Sequence, residues 1–184
     1  MKKFLVIIFI SICFLTPSQA DDIRDLQIEG ISVGDNTLDH FSKSEINSKK
    51  FFFTMQKDNR EYTSMKVHDD LNTFGSLTLN FKTESYDIDA ISAFVNIESI
   101  EDCQKKRRVI VNDIKSLFLN TEKQDYESTH FLDKETKIST TLWSLKNGFV
   151  RVACYNWSDK SGYPLELRVE TANNKYVNFL ESLK

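Results

Sequence analysis

Ile138-Ser139-Thr140-Thr141-Leu142-Trp143-Ser144-Leu145-Lys146-Asn147-Gly148-Phe149-Val150-Arg151-Val152-Ala153-Cys154-Tyr155-Asn156-Trp157 is the clearest pattern in the chain. Two runs rich in β-branched and aromatic residues flank an Asn-Gly dipeptide, which is the strongest short-range signal for a β-hairpin with a type I′ turn. With Asn147 and Gly148 as the two-residue loop, Leu145 is expected opposite Val150, Trp143 opposite Val152 and Thr141 opposite Cys154. These residues share one face, with Ser144 and Arg151 on the other. The reading places Cys154 on the apolar face of an antiparallel pair.

What covers that face is written upstream. Ser99 with Asp102 three positions later predicts a capping box, and Ile100, Cys103, Ile110, Val111, Ile114, Leu117 and Phe118 recur at helical spacing as far as Asn120. Cys103 therefore lies on the buried stripe of a long helix. Lys105, Lys106, Arg108, Asn112, Asp113 and Lys115 form the opposite side, and Glu101 and Asp102 stand four residues before Lys105 and Lys106, the orientation of a paired solvated surface.

The remaining segments alternate between strand and turn signals. Leu26 to Glu29 predicts a strand, Gly30 to Asp35 a tight turn, and Asp35 or Asn36 a cap for a short helix holding Leu38 and Phe41; Ser42 and Glu45 predict a second capping box. Phe51, Phe53 and Met55 alternate ahead of a turn at residues 57–60, and Tyr62 to Val67 resumes a strand. Leu77, Leu79 and Phe81 form one face of a strand that returns from Tyr86, where a shift of apolar phase predicts a bulge near Ala90 or Ile91. Thr121 to Lys137 is polar, with Phe131 and Leu132 as a short strand. Leu165, Leu167 and Val169 mark a last strand, and Thr171 is the expected cap of a C-terminal helix carrying Tyr176, Phe179, Leu180 and Leu183. The expected fold is α+β: a mostly antiparallel sheet, the Cys103 helix packed on one face, and a C-terminal helix closing an end or edge.

Residues 1–20 have the order of a secretory signal peptide: Lys2 and Lys3, an apolar run from Phe4 to Leu15, and small residues before a cleavage point near Ala20. Ile12 before Cys13 is too large for a lipid-attachment site. Removing the leader takes the charge from −3 to −5, because Lys2 and Lys3 leave with it, and residues 21–184 remain as a single expected domain. A mildly acidic exported chain argues against nucleic acid as a partner, and no later stretch is apolar enough to span a bilayer. Of three cysteines, only Cys103 and Cys154 follow the leader. An exported chain with an even cysteine count pairs them, and both lie on apolar faces that the helix and hairpin bring together.

Motifs for chemistry are sparse. Gly30-Ile31-Ser32-Val33-Gly34 matches the Gly-x-Ser-x-Gly nucleophile elbow, which raises a serine hydrolase using Ser32 with His40, His68 or His130 as base. The simpler alternative is a tight turn allowed by the glycines. His68-Asp69-Asp70 offers metal-ligand atoms, but adjacent extended residues point in alternate directions, so a solvated turn is expected and no metal or cofactor is assigned. Trp157 and Asp159, at a strand end before Gly162 and Pro164, are the expected surface binding residues.

Three patches, Ile28 to Asp35, the Cys103 helix ending in Leu117-Phe118, and Cys154 to Asp159 followed by Leu165 to Val169, resemble a group of small exported bacterial proteins with no assigned function. The resemblance implies a periplasmic domain and transfers no active site. More distantly, the glycine turn entering a helix resembles the opening of the helix-plus-antiparallel-sheet domains of outer-membrane-assembly lipoproteins and β-lactamase inhibitor proteins. The functional expectation is a periplasmic or secreted, non-catalytic binding or interaction domain, with another periplasmic or envelope protein as its partner. A small serine hydrolase, or a small-ligand carrier with an apolar pocket between helix and sheet, is the alternative.

Overall fold

A computed structural model describes residues 22–52, 60–69 and 71–183. The expected leader at residues 1–20, the expected strand at residues 53–55, most of the turn expected after it, and Asp70 lie outside the described residues. After a 3₁₀ turn at Ile23–Asp25 come β1 (Gln27–Ile28), β2 (Ile31–Ser32), α1 (Thr37–His40), α2 (Lys43–Lys49), β3 (Lys50–Phe51), β4 (Tyr62–Val67), β5 (Ser76–Lys82) and β6 (Ile88–Asn96). Then follow α3 (Ile100–Leu117), β7 (Lys123–Thr129), β8 (Lys137–Leu145), β9 (Gly148–Asn156), β10 (Glu166–Asn173) and α4 (Asn174–Ser182). β1 and β2 form a small ribbon. The other eight strands make one antiparallel sheet in the order β3-β4-β5-β6-β10-β9-β8-β7.

The expected α+β fold is present, and the helix docks as the hairpin implied. Ser99 caps α3 by accepting the Asp102 N–H at 3.1 Å, and Cys103, Val111, Ile114 and Phe118 are buried with Trp143, Val150, Val152, Leu167 and Val169 from the sheet. The Cys103–Cys154 disulfide, with Cα atoms 6.0 Å apart, ties the first turn of α3 to β9. The ribbon and α2 cover the rest of the same face through Ile28, Ile31, Val33 and Ile46. The surface pairs expected on α3 are not formed: Glu101 makes no ion pair with Lys105, nor Asp102 with Lys106. Between Lys106 and Arg108, Arg107 turns inward, donating to Gln104 and to Thr141 Oγ1, each at 3.0 Å.

Four local expectations are corrected. The β8–β9 loop is Lys146-Asn147, with Leu145 opposite Gly148 and Trp143 opposite Val150, so the register is shifted by two residues from the Asn-Gly reading. A shift of two preserves the faces, which is why Cys154 still points at α3. The positive φ angles required by a type I′ loop occur instead at Glu29 (53°) and Gly30 (80°), between Ile28 and Ile31. Phe131 and Leu132 form no strand; they sit exposed in the loop after β7, itself an almost wholly exposed edge strand without alternation. Finally, Asn173 rather than Thr171 caps α4, accepting the Tyr176 N–H at 2.9 Å.

α4 does not close an edge. It packs on the sheet face opposite α3, where Tyr176 and Phe179 meet Tyr62, Ala90 and Ala172. The bulge on β6 sets this up: Ile88 and Ile91 both point to the α3 side, leaving Asp89 and Ala90 on the other. Buried Asp89 accepts Tyr62 Oη–H at 2.7 Å and a second bond from Asn173 Nδ2, so the residue that caps α4 also anchors it to the sheet. Burial first, and then the neighbouring carboxylate, push the Tyr62 hydroxyl far above its usual range.

The ribbon is fastened by Glu29, whose carboxylate accepts the backbone N–H groups of Asn72 (2.8 Å), Thr73 (2.7 Å) and Phe74 (3.0 Å). Burial works to raise its pKa, but the backbone donors together outweigh it and hold the carboxyl below its ordinary range. A depressed folded-state pKa contributes stability that is complete above the ordinary value near 4.3 and is lost as pH falls through the lower one. Glu29→Gln is expected to cost about 1–2 kcal/mol at neutral pH and distinctly less near pH 2.5. Urea unfolding at both pH values checks this, and an equal cost at both would overturn it.

Candidate functional site

α3 and the ribbon occupy one face of the sheet and α4 covers only part of the other. The remainder of that second face is a groove of about 1220 Å³. Its floor is the outward side of β5, β6, β10 and β9; α4 closes one end through Tyr176 and Leu180, and the other end is walled by His130, Trp157 and Tyr163. Along β10, Glu166, Arg168 and Glu170 alternate with the core residues Leu167 and Val169, so the pleat itself delivers three charged side chains to the groove. Arg151 joins them from β9, opposite Glu170.

These charges are paired across the floor. Arg168 Nε donates to Glu166 Oε1 at 2.7 Å and its Nη2 reaches the same oxygen, while Trp157 Nε1 donates to that oxygen at 2.9 Å. Arg151 donates to Glu170 Oε2 from Nε at 2.8 Å and lies with Nη2 at 2.7 Å from it. Burial disfavours the Arg151 charge, but the Glu170 carboxylate more than compensates. The Arg168 guanidinium lies 4.0 Å from the Tyr155 ring centroid, 5.1 Å from that of Phe94 and 5.5 Å from that of Trp157. Trp157 in turn stacks on Tyr155 and meets Tyr163 at 5.1 Å and His130 at 5.0 Å. The result is a packed aromatic wall around one paired cation.

Of the two expected binding residues, Trp157 belongs to this wall. Asp159 is exposed in a 3₁₀ turn, Asp159–Ser161, and does not line the groove. Arg168, Glu166, Glu170 and Arg151 were not singled out in the sequence, because strict alternation makes such residues look like a solvated strand face. The one available signal was local: three charges of alternating sign on β10, running towards a helix whose apolar residues need a surface.

The Gly-x-Ser-x-Gly segment has a different construction. Ser32 is 5% exposed; its Oγ donates to the Leu26 carbonyl at 3.1 Å and its N–H to Asp35 Oδ2 at 2.9 Å. His40 contacts the same Asp35 oxygen at 3.0 Å, so its Nε2 is directed at the carboxylate rather than at a hydroxyl poised for attack. Gly30 and Gly34 (φ 98°) allow the ribbon's turns. This arrangement offers no accessible nucleophile. His68 and His130 are elsewhere, both lining the groove. Asp69 pairs with Lys49 at 3.2 Å, and among the described residues no three His, Cys, Asp or Glu side chains are grouped to hold a metal.

The groove is on the opposite side of the sheet from the helix–sheet pocket expected of a ligand carrier, and the intended pocket region is filled by Trp143, Cys103, Cys154 and Ile114, none more than 3% exposed. Among the described residues no helix is long and apolar enough to cross a membrane. Compared with protein-family models, with curated proteins and with solved structures, the chain matches none.

Proposed function

We propose that this protein is an exported, non-catalytic binding domain whose ligand lies along the open face of its sheet. The observation that carries this is the groove: about 1220 Å³, framed by α4 and the Trp157 wall, with a floor held rigid by two Arg–Glu pairs. Rigid, pre-arranged polar groups beside aromatic rings are what a binding site needs to avoid an ordering cost. Among the described residues lining the groove, no serine or threonine hydroxyl is hydrogen-bonded to His68 or His130. Export rests on the leader pattern at residues 1–20 and on the disulfide, which persists in oxidising compartments.

The test uses protein recovered from the periplasm or medium, whose mass is expected to lack residues 1–20. Its amide spectrum is then followed while soluble envelope fractions are added. Shifts are expected at Phe94, Arg151, Trp157 and Glu166–Ala172. Shifts confined to the exposed side of α3, or none with any fraction, would overturn the assignment of the groove, and a retained leader would overturn export.

A further inference from the structure

We infer that the groove's ligand is a neutral, polyhydroxylated chain, a glycan strand; this rests on the reading of the protein as a binding domain. The first support is the charge balance of the lining. Lys66, Arg151 and Arg168 face four carboxylates, Asp133, Glu166, Glu170 and Glu181, and the two arginines on the floor are already paired. A polyanion would find no net positive field there, and a cation would compete with guanidinium groups for carboxylates already engaged.

The second support is what the pairing leaves over. Each ion pair uses one carboxylate oxygen, so Glu166 Oε2 and Glu170 Oε1 retain free acceptors and the Nη1 groups of Arg168 and Arg151 retain free donors. Alternating acceptors and donors, fixed over about 13 Å from Glu166 to Glu170 at the usual rise of a strand, suit hydroxyl groups, each of which both donates and accepts. The third is the wall. Tyr163 is 66% exposed and lies tilted against Trp157, with ring centroids 5.1 Å apart, giving an aromatic ring a free surface for the apolar C–H side of a sugar ring.

An extended peptide fits less well. The floor is the face of a sheet, so it offers side chains and no backbone N–H or C=O; peptides recognised as added strands need an edge. Ser76, Thr78 and Ser92, also on the floor, extend the same hydroxyl-matching chemistry away from the arginines.

The experiment uses the mature chain carrying Trp143→Phe, which leaves groove-side Trp157 as its one tryptophan. Trp157 emission is titrated with chitohexaose, cellohexaose and maltohexaose, with an oligogalacturonate, and with a neutral serine- and asparagine-rich peptide. At least one neutral hexasaccharide is expected to give a saturable change whose affinity moves less than about twofold between roughly 50 and 500 mM salt. Tyr163→Ala should weaken it by roughly tenfold or more without changing the melting temperature, since that ring is exposed. Glu170→Gln, which removes the charge paired with Arg151 but keeps the side chain's size, should weaken it as well. Saturation by the oligogalacturonate alone, with loss at high salt, would overturn the inference. Saturation by the peptide alone would overturn the glycan and leave the groove as the binding site. No change with any of these probes would overturn the glycan, and amide shifts from the envelope fractions then decide separately whether the groove binds at all.

Discussion

Replacing Cys103 and Cys154 together by Ala is expected to lower the stability of this protein by about 4 kcal/mol. The two residues are 51 apart in sequence, and closing a loop of that length restricts the unfolded chain by about that amount in the chain-entropy model. Both positions are essentially sealed, at 0% and 1% exposure, so alanine is the informative substitute; serine would add the burial of unpaired hydroxyls. Cys103 sits in the first turn of α3, and Cys154 lies between Ser139 and Leu167 in register. The bond thus holds the start of the helix to the middle of the sheet. Urea unfolding of parent and double variant gives the difference. Protein recovered after export should show no alkylatable thiol until reduced; two free thiols, or a difference below about 1 kcal/mol, would overturn the stabilising role.

That bond was legible without coordinates because it depends on two local patterns and a count. Helical spacing places Cys103 on a stripe, strand alternation places Cys154 on a face, and an even number of cysteines after a leader-like segment joins them. The same locality made the caps at Ser99 and Ser42 readable and narrowed the cap of α1 to Asp35 or Asn36, where Asn36 takes the role, and each cap accepts the backbone bond expected of it. The β6 bulge was also readable, because a phase change is visible one residue at a time.

The candidate site was hidden for a related reason. Its floor residues follow the same alternation as any solvated strand face, and whether that face is open, covered or grooved depends on where α4 lands. That is settled far from α4's own sequence: Asp89, placed outward by the bulge, accepts Asn173, and Tyr62 supplies an aromatic surface for Tyr176 and Phe179. β7 was missed because an edge strand exposed on both faces has no apolar period to detect. Ser32 stayed open between two readings, since a glycine-flanked serine looks the same in a nucleophile elbow and in a tight turn, and the turn is what the folded chain builds, with the hydroxyl spent on Leu26.

Gly148 is the sharpest case, because the reason for the glycine is not the one its neighbour suggests. After Asn147 it reads as a turn glycine, for which alanine would cost about 1 kcal/mol of left-handed strain. In the folded chain it is the first residue of β9, paired with Asn173, and it has no positive φ. Its constraint is contact: a Cβ there would lie 2.1 Å from the Ala172 carbonyl oxygen, 2.9 Å from Asn173 Cα and 2.9 Å from Ile23 Cδ1. Two of those three atoms are backbone, and Asn147 O accepts the Asn174 N–H at 3.0 Å in the same place, so neither strand can move without disturbing the start of α4. Gly148→Ala is therefore expected to cost about 3 kcal/mol or more, beyond ordinary turn strain and at the upper end of overpacking. Gly30→Ala supplies the internal comparison, because that glycine has φ 80° with open space where its Cβ would be, and should cost only about 1 kcal/mol. Urea unfolding of both variants with the disulfide intact separates the two origins: a Gly148→Ala loss no larger than that of Gly30→Ala would mean that the close approach of β9 to β10 is not what selects glycine there.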